Sequence, residues 1–303
     1  MTTTQRGYFA MLRDFIRRAI SSAQRDDLAR RMGFAWALGI DTLYKFKGFT
    51  GDQRDHVIDM LEHSRFYFSV PDQFNDPYDV APVIALGGDP KDPAFLAELE
   101  AKELASLKRR GLNDAQIEAY RKASGTDISQ LAAGARDDLR FKMRRDTRIF
   151  CMSAEQCHPL QWSHYADRHR GLCLHLRCAA GKPLGLARRV EYRTDREPIL
   201  LPLERQSHDE IVERLILLKA DFWSYEREYR IVGDVGVDWG ATLNGRYLDI
   251  DRDVLTGVTI GMWMPEPDQT ALLALIDKHH PALPVWKAVE DFDRFWIKVE
   301  RLR

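Results

Sequence analysis

The apolar residues of this chain come in short, unequal runs, and that irregularity limits its folds more than any other feature. TLYKFKGF (42–49), RFYFSV (65–70), RIFCMS (148–153), GLCLHL (171–176), RRVEYRT (188–194), REYRIV (227–232), GRYLDI (245–250) and RFWIKVERL (294–302) have the length and the β-branched or aromatic content of strands. Between them lie stretches of helical period, at 52–63 with Val57, Ile58 and Leu61 and at 208–222 with Ile211, Leu215 and Leu218. The two kinds of run do not alternate regularly enough for a doubly wound sheet or a barrel. Near the end, GVTIGMW (257–263), a helix over 267–279 and LPVWKAV (283–289) form a strand–helix–strand unit, which predicts a parallel pair joined by a crossover. The expected fold class is therefore α+β, a mixed β-sheet core with flanking helices.

One domain is expected over 1–303, with two additions. Tyr8, Met11, Leu12, Phe15, Ile16, Ala19 and Ile20 recur at helical spacing opposite arginines, so 1–35 should hold an amphipathic helix packed on the core. The charged stretch 92–146 reads as a helical insertion, divided in two at GTD (125–127).

A formal net charge of −1 gives no strong overall pull towards nucleic acid. Arginine-rich segments at 6–31 and 136–148 read either as solvated helix faces or as surfaces for a phosphate-bearing partner. No run approaches the roughly 20 apolar residues of a membrane span, and no leader pattern precedes the first helix, so the cytoplasm is the expected location. Cys151, Cys157, Cys173 and Cys178 contain no C-x-x-C pair and fit no standard zinc spacing with their neighbouring histidines. Cys151 and Cys173 fall in apolar strand patterns and should pack as unpaired small hydrophobes, with no metal.

Three segments concentrate chemistry-bearing residues. FNDPYD (74–79) places Asn75, Asp76 and Asp79 in a turn stiffened by Pro77. It reads as a ligand-presenting loop or as an Asx-turn satisfying its own backbone. WSHYADRHRG (162–171) would put Trp162, Tyr165 and His169 on one helix face, with His164 beside them. Such a face suits a flat heterocycle or ribose, or else anchors a core. YEREYR (225–230), read as a strand, puts Glu226, Glu228 and Arg230 on one face, as a site or as a salt-bridged ladder. Lys219, on the preceding helical stretch, would add positive charge nearby. All three segments are expected to converge in one cleft.

The order LYKF, FYFS-P--FNDPYD, FCMS, W-HYA--H-GLCL, V-Y and K--FW--E-EYR, over about residues 42–235, resembles the bacterial family known as domain of unknown function 2971. The layout also resembles proteins that transfer ADP-ribose from NAD. LYKF, with Lys45, would be their first strand, Trp162–Tyr165 their aromatic element and EREYR their glutamate strand; Lys45 stands where those proteins usually carry Arg or His. That resemblance implies a toxin or phage-defence enzyme that consumes NAD as a substrate and holds no tightly bound cofactor. Glu228 would stabilise the oxocarbenium-like state and Glu226 would position a protein or nucleic-acid acceptor. Trp162 or Tyr165 would stack the nicotinamide, and Asn75 or Lys45 would hold ribose or phosphate. Two other readings stay open. Asp76, Asp79, His164, His169, Glu226 and Glu228 could hold a divalent ion in a nuclease or phosphodiesterase. Alternatively, the same groups could bind a nucleotide or a partner protein without turnover.

Overall fold

The computed structural model of the chain describes residues 22–303, apart from 82, 110, 125–136, 138, 140, 142, 144, 203–205 and 234–239. The helix expected at 8–20 and the GTD break lie outside the described residues. In chain order the elements begin with α1 (Ser22–Arg31), β1 (Thr42–Lys47), α2 (Gly51–His63), β2 (Arg65–Tyr67), β3 (Ile84–Leu86), α3 (Pro93–Arg109) and α4 (Asp114–Ser124). They continue with β4 (Arg148–Ser153), α5 (Pro159–Tyr165), β5 (Leu172–Arg177), β6 (Arg188–Arg189), β7 (Glu191–Arg193), β8 (Ile199–Leu201), α6 (His208–Ile216) and β9 (Leu218–Ala220). The last are β10 (Glu228–Gly233), β11 (Tyr247–Asp249), β12 (Leu255–Ile260), α7 (Glu266–His279), β13 (Val285–Glu290) and β14 (Ile297–Arg301). The fold is α+β. Its described residues group into two compact units, one of residues up to Val70 with Arg148–Val190 and Phe222–Arg303, the other of Pro71–Thr147 with Glu191–Asp221. Among the described residues no helix is long and apolar enough to cross a membrane.

The first unit is built on a sheet of eight strands among the described residues, in the order β14-β13-β12-β5-β1-β4-β10-β6. Every neighbouring pair is antiparallel except β12 and β13, which run parallel with Val258 opposite Val285, as the crossover pattern predicts. Strand alternation divides the side chains between two apolar layers. Leu43, Phe150, Met152, Leu172, Leu174, Leu176 and Ile231 pack with Val57, Met60 and Leu61 of α2 and with Leu272 and Ile276 of α7. Phe46, Cys173, Ala288 and Ile297 pack with Trp162 of α5. Helix α2 starts after Thr50, with Asp52 in its first turn, and stops at Ser64, whose left-handed backbone (φ 53°) closes the helix on the Met60 carbonyl.

The elements of the first unit also depart from the sequence expectations. RFYFSV keeps ladder pairing only over Arg65–Tyr67, against Tyr247–Asp249, and Ser69 then bridges to Ile149. RRVEYRT is not one strand: β6 pairs with β10, and the chain leaves the sheet after Val190.

In the second unit, β3 pairs with β8 and β7 with β9, both parallel. The helix expected over 208–222 ends at Ile216, because Leu218–Ala220 enter register with Glu191–Arg193. Its start is a capping box, with Ser207 and Glu210 satisfying each other's backbone amides. Helices α3 and α4 divide at Gly111 (φ 84°), and Asn113 and Gln116 exchange the same reciprocal pair of bonds at 2.9 Å each.

Candidate functional site

Strand β10 begins immediately after a forced turn. Arg227 has φ 45°, and the preceding Asp221–Glu226 segment is a 3-10 helix. Glu226 therefore does not share a strand face with Glu228, as simple alternation had suggested. Glu228 and Arg230 do share one, and they form a two-pronged ion pair: Arg230 Nε donates to Glu228 Oε1 at 2.8 Å and Nη2 to Oε2 at 2.9 Å. Both side chains are buried, Arg230 completely. A buried fork of this kind gains from Coulomb attraction in low dielectric what it loses in desolvation.

Glu226 is held by other means. Its Oε1 accepts from the Tyr165 hydroxyl at 2.5 Å, and its carbonyl accepts from Ser153 Oγ at 2.6 Å and from Gln161 Nε2 at 3.2 Å. Ser153 Oγ in turn accepts from Gln161 Nε2 at 2.8 Å and from the Glu155 amide at 2.7 Å. The end of β4 and the buried face of α5 thus clasp the 226–228 turn. Helix α5 is placed by Pro159 in its first turn and by His158, whose side chain accepts from the Leu160 amide.

Lys45 lies on β1. Strands β1 and β4 share one register pair, Tyr44 with Ser153. The Lys45 ammonium donates to the Cys151 carbonyl at 2.7 Å, occupying an acceptor on the β1 side of β4, and lies 4.9 Å from the Phe150 ring centre. Burial lowers the Lys45 pKa, opposed by Cys151, Glu228 and Glu226. Burial pushes the Cys151 thiol up, and Glu228 adds to this while Arg230 and Lys45 oppose it. Both carboxylates act on Lys45 electrostatically, but strand alternation sets its side chain with Leu43 and Leu174, in the layer opposite that of Glu228 and Arg230. Cys151 is a half-buried free thiol and Cys173 a fully buried one.

Beside Glu226 is an aromatic and imidazole surface. His164 Nδ1 lies 2.9 Å from the Tyr225 hydroxyl, the His158 ring stacks on Tyr225 at 4.9 Å, and Trp223 lies 5.9 Å from His164.

The expected helix face of Trp162, Tyr165 and His169 does not form. Helix α5 stops at Tyr165, and Asp167, Arg168 and His169 follow with φ of 45°, 54° and 67°. Trp162 is fully buried, edge-on to Phe46, with its indole N–H on the Gln156 carbonyl, so it presents no face to a ligand. His169 lies 5.0 Å from Trp263, and its Nδ1 is buried without a hydrogen-bond partner. Asn75, Asp76 and Asp79 belong to the second unit. There Asn75 is exposed, Asp76 Oδ1 accepts from the Tyr78 amide at 2.8 Å as an Asx-turn does, and Asp76 Oδ2 is buried without a hydrogen-bond partner. Lys219 lies on β9, not on a helix, and its ammonium is 3.7 Å from Asp79.

Sequence reasoning missed Ser153, Gln161, Tyr225 and Trp223. The available signals were a serine closing an apolar strand and a glutamine preceding a core tryptophan. Among the described residues no three His, Cys, Asp or Glu side chains converge as a metal would require. Comparisons with protein-family models, with curated proteins and with solved structures gave no match.

Proposed function

We propose that the chain is an NAD-consuming enzyme that cleaves the bond between nicotinamide and ribose and passes ADP-ribose to an acceptor or to water. One observation carries this reading: Glu226 is a buried carboxylate held by the Tyr165 hydroxyl, and the residue before it, Tyr225, carries the surface formed with His164 and Trp223. Breaking the bond puts positive charge on the ribose ring, and a fixed carboxylate in a low-dielectric surrounding stabilises it. Glu226 takes that role here. Both oxygens of Glu228 accept from Arg230, so Glu228 is a positioning residue that adds negative potential. The aromatic surface would take the nicotinamide ring.

On this reading the motif order that resembles domain of unknown function 2971 is the order of elements carrying the site. LYKF supplies Lys45, FCMS supplies Ser153, the W-HYA segment supplies Tyr165 and EREYR supplies the carboxylates.

The test is release of nicotinamide from NAD, with candidate acceptors and with water alone. Wild type should release it, and Glu226→Gln should lose about 10²-fold or more of the rate while keeping its fold. No release by wild type under any condition sinks the reading, and tight binding without turnover would replace it with a nucleotide sensor.

A further inference from the structure

Rings from three distant segments form one continuous surface that runs outward from the residue before Glu226. Trp296, in the turn between β13 and β14, lies edge-on to His158 at 5.1 Å. His158 stacks on Tyr225 at 4.9 Å, Tyr225 lies 6.0 Å from Trp223, and Trp223 lies 5.8 Å from Phe222. His164 lies 6.3 Å from Tyr225 and 5.9 Å from Trp223. Phe222 is 66% exposed and Trp296 38%, His164 is exposed, and His158, Tyr225 and Trp223 are half-buried. Neither apolar layer of the first unit includes any of these rings. They pack on one another and leave faces in water, although the segments that carry them are fixed. The Ile297 amide donates to the Cys157 carbonyl at 3.3 Å, and the Trp162 indole N–H to the Gln156 carbonyl at 2.8 Å. A contiguous exposed aromatic surface on a fixed backbone marks a binding face.

The charge around it has a sign. The exposed ionised side chains within two positions of a ring are Arg227, Arg294 and Lys298 against Asp221. Arg227 faces Glu155 at 3.7 Å and Lys298 faces Asp291 at 2.9 Å. Arg294 makes no side-chain hydrogen bond or salt bridge among the described residues. The ring edges carry imidazole nitrogens, a phenol and indoles, which lipid chains cannot satisfy. The cations suit phosphates better than a neutral peptide.

We propose that this array binds single-stranded nucleic acid. Every base has a flat face to stack on the rings and polar edges to meet their rims, while Arg294 and Arg227 reach the phosphates. With a formal net charge of −1 on the chain, stacking carries most of the affinity and the cations add a local share. A duplex covers its base faces, so the array selects unpaired strands. The proposal rests on the NAD reading only in sharing Tyr225, Trp223 and His164 with the nicotinamide surface; Phe222, His158 and Trp296 lie outside that surface.

The probe is a fluorescein-labelled oligonucleotide of about twelve nucleotides, long enough for one such groove. Its binding to the whole chain is read by fluorescence anisotropy without NAD, as a single strand and as a duplex. Wild type should bind the single strand and bind the duplex much more weakly. Phe222→Ala and Trp296→Ala should each lose about tenfold in affinity for the single strand. Both side chains are exposed, so each variant should keep the wild-type denaturation midpoint. Arg294→Gln should weaken binding less and flatten its salt dependence. Absence of binding by wild type, equal binding of the duplex, or full affinity in both ring variants overturns the proposal. Binding of a proline-rich peptide or of anionic lipid vesicles, with none of the oligonucleotide, also overturns it. Nicotinamide release into water is measured separately and should be unchanged in Phe222→Ala and Trp296→Ala, so failure of one reading does not imply failure of the other.

Discussion

Glu228 and Glu226 are both buried carboxylates, yet replacing them should have opposite signatures. Glu228 offers both oxygens to Arg230, and both side chains are buried. Glu228→Gln keeps the size but removes a charge paired with a fully buried guanidinium. Breaking one side of such a pair costs about 3 kcal/mol, so chemical denaturation should show a large loss of stability at neutral pH. Replacing both partners together, with Glu228→Leu and Arg230→Met, should recover much of it. A loss below about 0.5 kcal/mol for Glu228→Gln would show that the fork contributes no more than an exposed ion pair does. In Glu226→Gln the amide oxygen can still accept from Tyr165. Its effect should therefore appear in turnover and only slightly in the denaturation midpoint.

Among the elements, β5 and β12 are joined by more than their ladder. Gln156 Nε2 donates to Thr259 Oγ1 at 2.8 Å and lies 3.0 Å from His175 Nε2, while Thr259 Oγ1 lies 2.8 Å from the same ring nitrogen. An amide N–H can only donate, so His175 accepts there and is neutral. The ring is stacked on Trp286 of β13 and edge-on to Tyr44 of β1, so four strands meet around it. Burial pulls the imidazole down to about 4, against about 6.5 in an unfolded chain. The folded state thus binds fewer protons than the unfolded state between those values. The contribution of His175 is complete above about pH 6.5 and is lost as pH falls towards 4, by roughly 3 kcal/mol in all. Unfolding free energy measured from pH 7 to pH 4 should show this slope in wild type and a flatter one in His175→Gln. Equal slopes would remove His175 as the cause.

At the scale of the molecule, protection should follow the sheet order. Strand β5 lies between β1 and β12, and its side chains from Leu172 to Leu176 are all buried. Strand β14 is at the sheet edge and mostly exposed. Native-state amide exchange should be slowest on β5 and markedly faster on β14. Equal rates on the two would mean that the first unit does not open from its edges.

The sequence by itself determined the fold class, the strand runs at 42–49, 148–153, 171–176 and 227–232, and the parallel crossover near the end. These depend on local periodicity, which neighbouring residues set among themselves. It also marked Lys45, Tyr165, Glu226, Glu228 and Arg230, because polar groups inside apolar runs stand out. Tertiary structure alone decided where those residues lie and what they pair with. Arg227 in a left-handed turn took Glu226 off the strand, the sheet buried Trp162, and the chain divided its strands between two units at Val190. Each of these outcomes depends on contacts between residues distant in the chain, which no spacing along it encodes.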